Sequence, residues 1–230
     1  MNYIVTIDGP SSSGKSTLAK RLAKELSISH IDSGSIYRAV TLYAIENNFI
    51  ANQKLELEKL VNSLSCSDIL LKENSNGVFK MFINDQDVED KIRGSKVSKY
   101  VSELAKHEEI RNYVLKIQRD ISKNKSIVMD GRDIGSFVFP DADVKFYIDA
   151  SLKTRSERRY NQLKDKEDGI SIQEVENDLL IRDNTDKTRK KSPLIIPENS
   201  LIINNVNRTI DDVLKQMLQY TKNIIKKKVS

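Results

Sequence analysis

The sequence has few of the residues that build disulfide frameworks, transition-metal sites or membrane spans. Its 230 residues include one cysteine, Cys66, which excludes an intramolecular disulfide and favours a reducing, cytoplasmic environment. The two histidines, His30 and His107, lie far apart without neighbouring ligands, so we assign no transition-metal site. No apolar run approaches the ~18 residues that cross a bilayer. Because a strand pattern starts at Tyr3, we expect no secretory leader.

Neither sign of charge is in large excess. Lysine and arginine together number 38 against 33 acidic residues, which gives a net charge of +5. The two signs are interspersed, so this mild basicity fits anionic phosphate ligands and does not by itself indicate nucleic acid. The basic run at 226–228 is typical of a solvated chain end. We therefore expect no nucleic-acid or membrane partner, and we expect a monomer.

The sequence does contain a glycine-rich motif at residues 9–16, Gly-Pro-Ser-Ser-Ser-Gly-Lys-Ser, which fits the P-loop pattern Gly-x4-Gly-Lys-Ser. A β-branched run precedes it, and leucines at four-residue steps (Leu18, Leu22, Leu26) follow it, as in a strand and an amphipathic helix. Backbone amides at a helix N-terminus bind phosphate, a lysine adds charge to the terminal phosphates, and a hydroxyl ligates Mg²⁺. A serine-rich turn that caps a helix is the alternative. The residues predicted to bind a nucleoside triphosphate here are Gly9, Pro10, Ser11, Ser12, Ser13, Gly14, Lys15, Ser16 and Thr17.

Strand patterns alternate with helical patterns along most of the chain, which predicts an α/β three-layer sandwich with a parallel sheet. The predicted core covers 1–60 and 100–230, with a helical lid at about 165–193. Residues 61–99 change character and predict a small inserted antiparallel β/α unit. Ligands gather at the carboxyl ends of parallel strands. The loops predicted at those ends are 8–16, 32–38 and 130–135.

Charged residues cluster after these strand patterns. Asp130 follows an apolar strand, as a Mg²⁺-binding carboxylate does, although a turn-forming aspartate before glycine is equally consistent. Arg182, Asp186 and Arg189 are spaced by four and then three residues, so they share one helix face. Each arginine alone is typical of solvated surface. Several arginines combined with a P-loop predict phosphoryl transfer, and their excess favours an anionic acceptor such as a phosphate monoester.

Four segments together resemble the bacterial cytidylate kinase family. They are Ile-Asp-Gly-Pro-Ser-Ser-Ser-Gly-Lys at 7–15, Asp-Ser-Gly-Ser-Ile-Tyr-Arg at 32–38, Asp-Gly-Arg-Asp-Ile-Gly at 130–135 and Val-Phe-Pro-Asp-Ala at 138–142. The likeness runs in order through nearly the whole chain, including the insertion. It implies transfer of the γ-phosphoryl group of ATP to CMP or dCMP with Mg²⁺.

The resemblance also implies a role for each matching residue. Lys15, Arg132, Arg182 and Arg189 would act on the transferring phosphates, Ser16 and Asp130 would hold Mg²⁺, and Arg155 and Arg159 would contact ATP. The residues that would bind the acceptor nucleotide are Ser33, Tyr37, Arg38, Ser102, Arg111, Arg132, Asp133, Arg182, Asp186 and Arg189.

Two other functions remain open from the residues themselves. One is a P-loop kinase for another nucleoside monophosphate or for a small hydroxyl compound. The other is a nucleotide-dependent switch or RNA-binding protein, whose nucleic-acid affinity would fall steeply with salt. The sequence shows no aromatic RNA-stacking signature. A screen of acceptors with ATP and Mg²⁺ separates these functions.

Overall fold

The structure, a computed structural model, describes residues 2–51, 54–73, 79–165 and 169–229. The strands in chain order are β1 (Ile4–Asp8), β2 (Ser29–Asp32), β3 (Ile50–Ala51), β4 (Lys54–Leu55), β5 (Ile69–Glu73), β6 (Phe79–Ile83), β7 (Gln86–Asp87), β8 (Ile127–Gly131), β9 (Val144–Asp149) and β10 (Leu201–Asn204). The α-helices are α1 (Lys15–Leu26), α2 (Ser33–Glu46), α3 (Leu57–Leu64), α4 (Ser95–Leu104), α5 (Glu108–Ile121), α6 (Leu152–Leu163), α7 (Ile172–Thr188) and α8 (Ile210–Val229). A 3-10 turn covers Lys91–Arg93, and a π-helical turn covers Ile134–Val138.

The chain divides into two compact units. The first consists of Met1–Ile28 with Lys125–Ser230, and the second of Ser29–Asn124. The predicted insertion, 61–99, lies inside the second unit, and the boundaries proposed for it stay a prediction. In the part of the chain that the structure describes, no helix combines the length and apolar character needed to cross a bilayer.

The first unit contains a parallel sheet with strand order β10-β9-β1-β8. The leucine pattern predicted for α1 is borne out, because Leu18 and Leu22 are buried against Val5, Phe146 and other residues of this sheet's core. Burial of each such side chain contributes about 1.5–3 kcal/mol. The prediction of an α/β fold with a parallel sheet is confirmed. Parallel pairing brings the carboxyl ends of all four strands to one edge, where the P-loop follows β1.

The second unit is built around α2, which packs in a core with α3, α4, α5 and two antiparallel strands. Strands β5 and β6 pair antiparallel, with Leu71 opposite Met81, as the predicted inserted unit requires. The hairpin pattern in this part of the sequence also includes an Asn-Gly pair at 76–77 and Val78, which lie outside the described residues.

Two predictions about helix ends are wrong. The sequence analysis placed 32–38 in a loop, whereas α2 begins at Ser33. The cause is Asp32, whose carboxylate accepts a hydrogen bond from the N–H of Gly34 (2.9 Å) and so caps the helix early.

Arg189 was placed on the same helix as Arg182 but lies just past the end of α7, with an extended backbone (ψ 140°). The chain turns back there, and the N–H of Leu194 donates to the Asp186 carbonyl over 2.7 Å.

Candidate active site

The P-loop joins β1 to α1 through two glycines that other residues could not replace. Gly9 has φ +151°, and a Cβ there would lie 2.1 Å from the carbonyl oxygen of Ile148. Gly14 has φ +94° and is the N-cap of α1. Because glycine has no side chain, it makes no capping hydrogen bond to the first amides of the helix. Amide groups at the positive end of a helix are able to bind an anion, as predicted for this loop.

Lys15 and Ser16 are the first two residues of α1. The Lys15 ammonium is buried and donates to the Pro10 carbonyl over 3.1 Å, so it lies folded along the loop. The Ser16 hydroxyl donates to Asp130 Oδ2 over 2.5 Å. Ser16 lies on α1 and Asp130 lies at the end of β8. Both side chains offer oxygen atoms, which are the ligands that Mg²⁺ prefers. The donor set therefore fits the predicted Mg²⁺ site.

Side chains of α6 and of the residue after β10 donate hydrogen bonds to carbonyl groups of the P-loop. Arg155 Nη1 donates to the Ser11 carbonyl (3.2 Å), and Arg158 Nη1 donates to the Ser13 carbonyl (3.2 Å). The Ser13 carbonyl also accepts from Asn205 Nδ2 over 2.8 Å. Arg158 and Asn205 were not predicted from the sequence.

Asp183 connects α7 to the same loop. Its Oδ2 pairs with Arg155 Nη1 over 2.6 Å, and its Oδ1 accepts from the N–H of Ser11 over 3.4 Å. Both charged side chains are buried, with exposed fractions of 8% and 9%. Asp183, in the C-terminal half of α7, thus connects the predicted lid helix to the P-loop. The sequence analysis did not predict this ion pair.

Asp8, the last residue of β1, is fully buried and organises the turn after β8. Its two carboxylate oxygens accept from the N–H groups of Ile134 and Gly135, both over 2.7 Å. Burial raises the pKa of Asp8 to about 7, the two amides and the Lys15 charge lower it, and the nearby negative charge of Asp133 raises it. Asp8 therefore fixes the start of the π-helical turn that follows Asp133.

Four of the predicted charged residues of the first unit form one ion-pair cluster. Arg132 Nε donates to Asp186 Oδ2 over 2.9 Å. Arg189 lies 3.3 Å from Asp186 Oδ1 and 3.5 Å from Asp133 Oδ1. The exposed fractions of these side chains are 5–19%, so the charges are held in place in a partly dehydrated environment. Arg182, on α7, and Arg159, on α6, are half-buried.

In the second unit, α2 carries three of the predicted acceptor-site residues: Ser33, Tyr37 and Arg38. Arg38 Nη1 donates to Ser98 Oγ (2.9 Å) and to the Ile92 carbonyl (3.3 Å). Arg111, at the start of α5, is buried and lies 5.5 Å from the ring centre of Tyr37. Ser102 is half-buried on α4. The fold of this unit therefore brings Tyr37 and Arg111 together.

Comparisons with known proteins agree with the motifs. The profile of the family described as cytidylate kinase matches residues 5–223. The chain is 39% identical over 223 residues to the cytidylate kinase of Flavobacterium johnsoniae, covering 96% of this chain and 97% of that protein. It is 40% identical to the cytidylate kinase of Fusobacterium nucleatum, covering 93% and 94% of the two chains.

Among solved structures, a gluconokinase from Sinorhizobium meliloti shares the fold with a TM-score of 0.52 at 9% identity, covering 99% of this chain and 97% of the other. That identity is too low to carry function, and the likeness concerns the fold alone. The sequence relatives are much closer and match nearly the full length. The chain therefore belongs to the cytidylate kinase family.

Proposed function

We propose that this protein transfers the γ-phosphoryl group of ATP to CMP or dCMP, giving ADP and CDP or dCDP. The observation that carries the proposal is the match of the family profile over residues 5–223, and it is supported by the buried lysine of the P-loop motif, Lys15, which lies along the loop. The lone cysteine and the mixed charge support a cytoplasmic enzyme, and we propose that it acts as a monomer.

The P-loop amides and Lys15 bind the phosphates of ATP, with Arg155 and Arg159 as further proposed contacts. Phosphoryl transfer spreads negative charge over the equatorial oxygens of the transferring group. Lys15, Arg132, Arg182 and Arg189 stabilise that charge through preorganised donors. Ser16 and Asp130 would hold Mg²⁺, which when bound neutralises charge on the phosphate oxygens.

The acceptor needs no general base. A phosphate monoester has a second pKa of about 6, so its attacking oxygen is already anionic near neutral pH. Arginines are then required to offset the repulsion between two polyanions. We propose that Arg38, Arg132, Arg182 and Arg189 bind the acceptor phosphate. The remaining acceptor residues, proposed to hold the ribose and base, are Ser33, Tyr37, Ser102, Arg111, Asp133 and Asp186.

In this arrangement Asp186 holds Arg132 and Arg189 before the acceptor arrives. Ion pairs of 2.9 Å and 3.3 Å fix the two guanidinium groups. Arginines fixed in advance lose less freedom when they bind phosphate, so less binding free energy is consumed in ordering them.

An acceptor screen tests the proposal. Purified protein is assayed for ADP release with ATP, Mg²⁺ and each of CMP, dCMP, UMP, AMP and GMP, and the products are identified chromatographically. Lys15→Ala, prepared in parallel, should lose at least a hundredfold of kcat and so exclude a contaminating kinase. Lys20→Ala, an exposed lysine of the same helix, is the matched control. A clear preference for AMP or GMP would overturn the acceptor, and ATP hydrolysis without transfer would overturn the kinase.

A further inference from the structure

We propose that Arg158 and Asn205 are positioning residues that set the direction of a phosphate-binding amide in the P-loop. Neither residue belongs to the motifs described above. The inference rests on the proposed function only in that ATP is taken to bind at the P-loop.

The P-loop backbone needs outside support because part of it is in an unfavourable conformation. Ser12 has φ 60°, in the left-handed region that is unfavourable for a non-glycine residue. Gly14 has φ +94°. Ser13 therefore lies between two left-handed residues, and such a backbone persists only where surrounding contacts impose it.

Arg155 and Asp183 hold Ser11, on one side of Ser12. On the other side, two donors converge on the Ser13 carbonyl group. A carbonyl oxygen has two lone pairs, and the Ser13 oxygen accepts from both Arg158 Nη1 (3.2 Å) and Asn205 Nδ2 (2.8 Å). The second branch of the same guanidinium, Nη2, donates to the Asn205 carbonyl over 2.8 Å. The Arg158 guanidinium thus bridges the Ser13 carbonyl and the Asn205 carbonyl. The side chain of Asn205, the residue that follows β10, is the second donor to the Ser13 carbonyl.

Because the peptide bond is planar, holding the Ser13 carbonyl also fixes the direction of the Gly14 N–H. The Ser13 carbonyl and the Gly14 N–H belong to one planar trans peptide, so they point in opposite directions. With the carbonyl held on the side of Arg158 and Asn205, the Gly14 N–H faces away from them. That N–H is one of the donors with which a P-loop binds phosphate.

Asn205 has a further property that argues for this role. The residue is 2% exposed, and its amide oxygen, Oδ1, makes no hydrogen bond within the part of the chain that the structure describes. A buried polar atom without a partner is unfavourable for stability. The useful part of this side chain is therefore its amide nitrogen, which donates to the Ser13 carbonyl. The nitrogen also lies close to Gly14, because a Cβ added there would come within 2.7 Å of it.

Hydrogen exchange and nucleotide binding together test the proposal. The variants are Arg158→Met, which removes the donors at similar length, Arg158→Lys, which keeps the charge but loses the two-branched geometry, and Asn205→Ala. Lys153→Ala, an exposed cation on the same helix, and Asn223→Ser, an exposed amide on α8, are the matched controls. Each protein is studied without nucleotide by amide exchange, and its affinity for ADP is measured by calorimetry.

We expect the amides of 12–16 to exchange at least tenfold faster in ligand-free Arg158→Met and Asn205→Ala, while strands β1 and β9 keep their protection. ADP affinity should fall at least tenfold in both variants, with Arg158→Lys in between and the controls unchanged. CMP affinity should stay within twofold of the parent protein.

Three results would overturn the proposal. Weaker ADP binding with unchanged exchange would make Arg158 a direct nucleotide contact. Faster exchange throughout the first unit would make the two residues general stabilisers. Unchanged exchange and affinity would exclude any role at the loop. None of these results depends on the acceptor, so failure of the CMP kinase assignment is distinguishable from failure of this proposal.

Discussion

The Ser16 hydroxyl donates a hydrogen bond to Asp130 Oδ2 over 2.5 Å, joining the first turn of α1 to the end of β8. The two oxygens come from segments 114 residues apart in the chain. Parallel pairing of β1 with β8, in which Ile7 lies opposite Asp130, brings them together. A hydroxyl and a carboxylate this close can share one hard cation, directly or through its water ligands.

Asp130→Asn should therefore raise the Mg²⁺ concentration for half-maximal activity at least tenfold, because the site loses its negative charge. Activity is titrated with Mg²⁺ at fixed ATP, and Mg²⁺-dependent ADP binding is measured separately. Asp141→Asn, an exposed carboxylate, serves as the control. An unchanged Mg²⁺ requirement in Asp130→Asn would remove Asp130 from the metal site.

Arg38→Ala should weaken acceptor binding and leave ATP binding unchanged. In the second unit the Arg38 guanidinium donates hydrogen bonds to Ser98 Oγ and to the Ile92 carbonyl, and these contacts help to fix its position. We expect the Kd for CMP to rise at least tenfold, since a charge-assisted contact to phosphate contributes about 1.5–3 kcal/mol. Calorimetry with CMP and with ADP checks both values.

Arg119→Ala, an exposed arginine of α5, is the control for Arg38→Ala. Ser98→Ala should raise the Kd for CMP less than Arg38→Ala does, because it only loosens the guanidinium. Equal losses of CMP and ADP affinity in Arg38→Ala would contradict the assignment of Arg38 to the acceptor.

Local sequence patterns were sufficient for the parallel sheet, the P-loop and the presence of helix α1. Each of these has a signal within a few neighbouring residues: a β-branched run, two glycines at fixed spacing, and leucines four apart. The ends of α2 and α7 were harder, because an Asp32 cap and a chain reversal after Thr188 determined them. Neither event changes the hydrophobic period on which the prediction depended.

The supporting residues of the P-loop were missed for a different reason. Arg158 and Asp183 resemble ordinary surface charges in sequence, and only the packing of α6 and α7 brings them to the loop. A signal for Asn205 did exist. It directly follows β10, and the carboxyl ends of parallel strands are where ligands gather. Applying that rule to the last strand, as to the first, would have identified it.

Removing one member of the buried Arg155–Asp183 pair should destabilise the protein strongly. Asp183→Ala leaves the Arg155 guanidinium buried without its counter-ion, and such losses are typically about 3–5 kcal/mol. The exposed Arg21–Asp211 pair, with side chains 43% and 77% exposed, is the comparison. Arg21→Ala should change the free energy of unfolding by less than about 1 kcal/mol. Urea denaturation without nucleotide measures both.

A double substitution separates charge burial from packing at this pair. Arg155→Met combined with Asp183→Leu removes both charges, so it should recover much of the stability that Asp183→Ala loses. If the double variant were as unstable as the sum of its single substitutions, the ion pair would not be the source of the loss.

The buried carboxylate of Asp8 should give the protein a pH-dependent stability that Asp8→Asn lacks. Burial raises the pKa of Asp8 from 3.8 to about 7 in the folded state. Between these two pH values the folded state binds the proton more tightly than the unfolded state, so stability falls as pH rises from about 4 to about 7 and then levels. A pKa rise of this size corresponds to roughly 4 kcal/mol. Urea unfolding from pH 4.5 to 8, without nucleotide or Mg²⁺, gives the free energy of unfolding of each protein.

The difference between parent protein and Asp8→Asn should decline across that window, because the asparagine side chain does not titrate. Asp141→Asn should follow the parent protein, since that carboxylate is exposed. Parallel curves for the parent protein and Asp8→Asn would mean that the two amides of Ile134 and Gly135 fully offset the burial of the charge. In that case Asp8 would be ionised throughout the window, and its role at the turn would be the same at pH 5 as at pH 8.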